Sequence, residues 1–147
     1  MDKTYETLNT ILVRLFNDIM TIEEKAIITG EFSNISNNDM HVIEAIGIEA
    51  PRNMSSIAKT LSVTVGTLTI AVNNLVKKGY VNRVRSEKDR RVVLISLTAK
   101  GQKAYYHHKK FHDDMIKATI AGMDEKEIRI LAQSLSNLID FFDHYHV

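Results

Sequence analysis

Cysteine is absent from the 147 residues. That excludes disulfide staples, cysteine-ligated zinc and thiol redox sensing. No apolar run comes near the ~20 residues that span a bilayer, so no transmembrane helix is expected. The start, Met1-Asp2-Lys3-Thr4, lacks the basic stretch, apolar core and small-residue cleavage site of a secretory leader, and a cytoplasmic protein is expected. Glycine-rich phosphate loops, nucleophile elbows and a pocketed carboxylate pair are also missing, so no enzyme is expected. A histidine beside Asp113 or Asp114 imitates a base and its orienter, but close charge spacing on an exposed helix explains that cluster more cheaply. There is no internal repeat and no low-complexity tract. The length fits a single domain over residues 1–147, with helical arms.

What is present is a strong charge asymmetry. The net charge is only +1, yet residues 77–110 hold eleven Lys/Arg against Glu87 and Asp89, so this segment carries +9 and the rest −8. A local basic block in a near-neutral chain points to a polyanionic partner that touches one region. A purely structural helical adaptor would not need it.

The periodicity gives the element order. Tyr5, Leu8, Leu12, Leu15, Ile19, Ile22 and Ala26 recur at alternating three- and four-residue spacings, which is one helical stripe, widened by Ile11, Val13 and Phe16. Gly30 to Asn34 reads as a break. Ser36, with Asp39 three residues on, predicts a capped short helix with Val42, Ile43 and Ile46 inward, stopping at Gly47. After Pro51, Asn53 predicts the cap of a second short helix, Met54 to Leu61. Thr64 predicts the cap of a third, which runs to Lys78 and stops at Gly79. The period then changes: Tyr80–Arg85 and Val92–Leu97 are rich in β-branched residues and predict two strands around the charged tip Glu87–Arg91. Thr98 predicts the cap of a long helix to about Ile120, and Asp124 with Glu127 predicts a capping box for a last one.

Three short helices followed by a hairpin make a winged helix-turn-helix. The fold class is mainly α (α+β), with residues 36–98 as the DNA-binding lobe and 1–30 and 99–147 as a helical dimerisation region. The third short helix is the one that reads the major groove. Spacing places Val65, Leu68, Val72 and Leu75 inward. Thr67, Ile70, Asn74 and Lys77 form the outer stripe, with Thr69 and Asn73 beside it. Hydroxyls reach bases or phosphates, Ile70 can meet a thymine methyl, and asparagine can pair with adenine. Thr64 at the cap and Arg85, Lys88, Asp89, Arg90 and Arg91 on the wing complete the candidate contacts. Asp89 can accept hydrogen bonds from a neighbouring guanidinium and aim it. The wide apolar stripes of the first and last helices exceed what the small lobe can cover, which predicts a homodimer, with two recognition helices about 34 Å apart on a pseudo-palindromic site in double-stranded DNA.

The segment Leu61 to Gly101, "LSVTVGTLTIAVNNLVKKGYVNRVRSEKDRRVVLISLTAKG", resembles the recognition helix and wing of MarR-type transcription regulators. The matching pieces are the run Leu75 to Val81, the wing residues Asp89-Arg90-Arg91, and Leu97-Thr98-x-Lys100-Gly101. They stand in the family's order and spacing, and with the helical arms the resemblance covers nearly the whole chain. It implies a dimer with interlocked terminal helices. One departure is Ser86-Glu87, where many members have Asp-Pro, which implies a more mobile tip.

Within that family, residues 21–24, 40–47, 63–93, 109–112 and 121–128 resemble the repressors of fatty-acid synthesis genes. That narrower resemblance implies a long-chain acyl group on acyl carrier protein as co-repressor, with Phe32, Met40, Phe111 and Met115 as candidate lining of an acyl pocket. No other cofactor is implied. A zinc-responsive regulator is the alternative. His108 and His112 are four apart and share a helix face, and His41 and a carboxylate can complete a four-coordinate set. Resemblance to the family's zinc-responsive members assigns the ligands to Glu24, His41, His108 and His112, with Glu23 as the alternative acid.

Overall fold

The computed structural model describes residues 2–27 and 30–145. The element order is α1 (Asp2–Ile27), a 3₁₀ turn (Gly30–Phe32), α2 (Asn37–Ile46), β1 (Arg52–Asn53), α3 (Met54–Leu61), α4 (Val65–Lys77), β2 (Val81–Arg85), β3 (Val93–Leu97), α5 (Ala99–Ile120) and α6 (Glu125–Asp143). This is the winged helix-turn-helix that the sequence predicts. Among the described residues, no single helix is long and apolar enough to cross a membrane. The chain divides into two compact units, residues 1–111 and 112–147.

In the first unit the caps stand where the sequence places them. The Ser36 side chain accepts from the Asp39 amide, and the Asp39 carboxylate accepts from the Ser36 amide. Asn53 caps α3 through the Ser56 amide, and Thr64 caps α4 through the Thr67 amide. Ser62 turns the chain between α3 and α4 in the left-handed region, at φ 55°. Ile43, Ile57, Leu68, Val72, Leu75, Tyr80 and Ile95 form the centre of the core and are almost wholly buried. Val65 does not join them. It is the first residue of α4, a turn ahead of the core, and is 44 % exposed.

The sheet has three strands in the order β1-β3-β2, all antiparallel, with Arg83 opposite Ile95 and Arg85 opposite Val93. The two-residue β1 has too little sequence to show a period, and only its pairing with Leu94 and Ile95 defines it. Its Arg52 ties the lobe together. One guanidinium nitrogen donates to the Ala45 carbonyl at the end of α2, and the other to Ser56 and Thr60 on α3.

Thr98 joins the exit of the wing to the exit of α4. Its hydroxyl donates to the Gly79 carbonyl at 2.6 Å, accepts from the Gly101 amide at 3.1 Å, and its own amide donates to the Tyr80 carbonyl. A Cβ on Gly101 would lie 2.1 Å from that Tyr80 oxygen, so only glycine allows α5 to start so close. Tyr80 itself donates to Asn34 at 2.7 Å. Burial pushes its hydroxyl pKa up, and the charges of Glu31 and Asp39 add to that.

In the second unit, Asp124 and Glu127 form the expected capping box of α6. None of the α6 side chains is buried within this chain, and Ile130, Ile139 and Phe142 are all more than half exposed.

Candidate nucleic-acid interface

The outer stripe of α4 is exposed as spacing predicts. Thr67, Asn74 and Lys77 are open to solvent, and Ile70 is 72 % exposed. An isoleucine that bare on a well-packed lobe has no role in the core of this chain. Thr64 and Thr67 share a hydroxyl–hydroxyl bond of 3.0 Å at the helix start. Thr69 donates its hydroxyl to the Val65 carbonyl, so its oxygen is left to accept.

The wing is an internally bonded arm. Arg85 donates to the Arg90 carbonyl at 2.8 Å across the hairpin, and the Ser86 amide donates to the Val92 carbonyl. The Ser86 hydroxyl accepts from the Asp89 amide at 3.4 Å, so serine closes the turn where many MarR-type members have Asp-Pro. The guanidinium that Asp89 holds is that of Arg91. The carboxylate accepts from Arg91 Nε at 3.1 Å, Nη2 at 3.2 Å and the Arg91 amide at 3.0 Å. These side-chain and backbone bonds hold the Asp89 carboxyl below the usual carboxylate range. Arg90 and Lys88 are exposed, and among the described residues their side chains make no ion pair or hydrogen bond. The arm therefore offers one guanidinium fixed in direction and two cations ready for phosphate.

Helix and wing are joined by a bond between Arg83 and Asn73, in which Arg83 Nη1 donates to Asn73 Oδ1. In the sequence Arg83 stands out only as one charge of the basic block. The period of two was the signal that could have placed it: Val81, Arg83 and Arg85 share one face of β2, and Val81 is buried in the core, so Arg83 extends along the core edge toward α4.

The metal candidates are brought together only in part. Glu23 and His108 are both buried, with Glu23 Oε1 3.4 Å from His108 Nε2, and Glu44 Oε2 is 3.7 Å from the same nitrogen. His41 faces Glu44 at 4.0 Å and is about half exposed. His112 follows one turn after His108 on α5. The side chain of Glu24 lies outside the described residues, and of the two candidate acids Glu23 is the one described beside His108. Ligands about 2.1 Å from a tetrahedral zinc lie roughly 3.4 Å from one another, so Glu23 and His108 are spaced as two such donors. The same spacing suits a carboxylate–imidazolium pair.

Of the candidate acyl-pocket residues, Phe32 and Met40 are packed in the core, Phe32 with its ring 5.3 Å from that of His107. Phe111 and Met115 are half-buried. A cavity of about 380 Å³ in the lobe has other walls, among them His41, Leu61, Val63 and Thr67.

Residues 19–107 match the family described as transcriptional regulator SarA/Rot. The regulator SarZ of Staphylococcus haemolyticus is 33 % identical over 105 residues, covering 70 % of this chain and 71 % of its own. Among solved structures, Streptococcus pneumoniae FabT in complex with DNA superposes with a TM-score of 0.82 at 42 % identity, covering 95 % of this chain and 97 % of FabT. A MarR transcriptional regulator from Methanosarcina mazei Go1 gives 0.66 at 27 % identity, over 92 % and 95 %. These relatives are transcription regulators and not enzymes.

Proposed function

Because this chain belongs to the SarA/Rot family of MarR-like, DNA-binding winged-helix transcription regulators, we propose that it is a homodimeric repressor of fatty-acid synthesis genes, with acyl-acyl carrier protein as its co-repressor. The observation that carries the reading is the 42 % identity to FabT along nearly the whole chain. In this reading α4 enters the major groove, and the wing places Arg91, aimed by Asp89, and Arg90 beside it. The homodimer is supported by apolar side chains that one chain leaves bare on α1 (Leu8, Leu12, Leu15, Phe16) and on α6 (Ile130, Leu135, Ile139, Phe142). A co-repressor that tightens DNA binding must bind the DNA-bound protein more tightly than the free protein by the same factor, and so must prefer the DNA-competent arrangement.

A mobility-shift titration on a fatty-acid-gene promoter tests this. Acylated carrier protein is expected to raise affinity about 5-fold or more, and the unacylated protein to leave it unchanged. Equal effects of the two would remove the acyl group from the account.

The Glu23–His108 pair favours one second reading, zinc responsiveness. Glu23 and His108, with His41 in the same unit, would then supply ligands to the ion. Zinc supplies charge and fixed geometry there, and no chemistry. Repeating the titration with zinc and with chelator separates the two readings, because a zinc-dependent change in affinity belongs only to the second.

A further inference from the structure

We propose that Arg83 is a positioning residue for base reading: by holding one lone pair of the Asn73 side-chain oxygen, it fixes that oxygen on the wing side and leaves the amide to offer DNA chiefly its N–H donors. The inference rests on α4 lying in the major groove.

The bond runs from Arg83 Nη1 to Asn73 Oδ1. A guanidinium has five donors and no acceptor, so the amide must meet it with oxygen, and the flipped amide would set donor against donor. The orientation of Asn73 is therefore dictated by chemistry. Among the described residues no acceptor takes its Nδ2 protons, and the side chain is only half-buried beside the exposed stripe. Bidentate reading of adenine requires the amide oxygen to accept from N6 while the nitrogen donates to N7. At Asn73 the guanidinium already holds the oxygen, so only its second lone pair remains and the bidentate pose is disfavoured. The favoured partners are acceptors that meet its N–H donors: purine N7, guanine O6 and thymine O4. Asn74, one residue on, is exposed and its amide has no such clamp, so it keeps both halves of the adenine code. Two adjacent asparagines thus read different edges, and the difference is imposed from the wing. A bond with an ionised donor is stronger than a neutral one, which suits a clamp that must persist against water.

The experiment is competition binding of the full chain to a library in which each operator base pair is replaced in turn, with folding checked by circular dichroism. Arg83→Met removes the donors and keeps the length. It is expected to change base preference about 5-fold or more at one position in each half-site, with adenine gaining. Arg83→Lys still donates to Oδ1 and is expected to keep the wild-type preference. Asn73→Asp keeps its bond to Arg83 but presents a second oxygen, so preference is expected to move to a base edge that donates, cytosine N4 or adenine N6. An Arg83→Met profile that superposes on wild type, or a loss equal at every position and on random DNA, overturns the inference. If Arg83→Met does not fold, an unchanged preference in Asn73→Asp overturns it as well. A wild-type chain with no sequence preference would instead remove the groove-reading premise.

Discussion

Asp89 sits in the most basic stretch of the chain and weakens its attraction for DNA, yet it spends both oxygens on Arg91. An acid there makes sense only if direction matters more than charge. A guanidinium aimed in advance suits a narrow groove, where an Arg reads width as well as sequence. Arg90 has the opposite character: its carbonyl is held by Arg85, and its side chain is exposed. The two arginines should therefore separate experimentally. Arg90→Ala is expected to lower affinity on specific and random DNA alike and to flatten the salt dependence by about one unit per wing, as a lost phosphate contact does. Asp89→Asn is expected to keep most of the salt slope and reduce discrimination between A-tract and mixed flanks. Anisotropy titrations across a salt series check both. Because Arg91 holds the Asp89 carboxyl low, its contribution is present above its ordinary value of 3.8 and is lost only as pH falls through the lower folded value. DNA binding should show no step from this group between about pH 6 and 8. For Asn74→Ala the expectation is a change in sequence preference of about 1–3 kcal/mol at one base pair, measured on the same operator panel.

At the scale of elements, the caps and stops were legible because they are local. Ser36, Asn53, Thr64 and Asp124 each satisfy backbone amides within three residues, so type and spacing suffice to find them. What the sequence could not show is contact between elements. β1 exists only by pairing, Val65 sits ahead of the core that its spacing implied, and the Arg83–Asn73 bond joins residues ten apart on different elements. The Leu97-Thr98-x-Lys100-Gly101 motif lies between these cases. It was visible as a family resemblance, but its reason is the junction at Gly79 and Tyr80. Gly101→Ala places a methyl against a backbone oxygen that cannot move without the wing. It is expected to destabilise the fold by about 1–3 kcal/mol, read as a lower denaturation midpoint, with DNA affinity falling in parallel. A variant as stable as wild type would show that the junction yields.

At the scale of the whole molecule, the two terminal helices leave apolar faces bare. α1 carries Phe16 at 71 % exposure and α6 carries Phe142 at 63 %, on helices whose stripes were legible from periodicity alone. In the proposed homodimer a second copy covers such faces. Phe16→Glu is expected to shift the chain toward monomer in sedimentation and to lower operator affinity at least 10-fold, since two linked lobes bind far more tightly than one. The effector was the least legible part of the molecule. Phe32 and Met40 show how apolar residues in the right region turn out to be core, and acyl recognition rests on likeness to FabT. The most direct test of the central claim is a hydroxyl-radical footprint on a fatty-acid-gene promoter, with and without acyl carrier protein in its acylated form. The account predicts two protected segments related by a dyad, about one helical turn apart, that appear at lower protein concentration when the acylated carrier is present. A single unpaired segment, or a footprint indifferent to the acylated carrier, would contradict it.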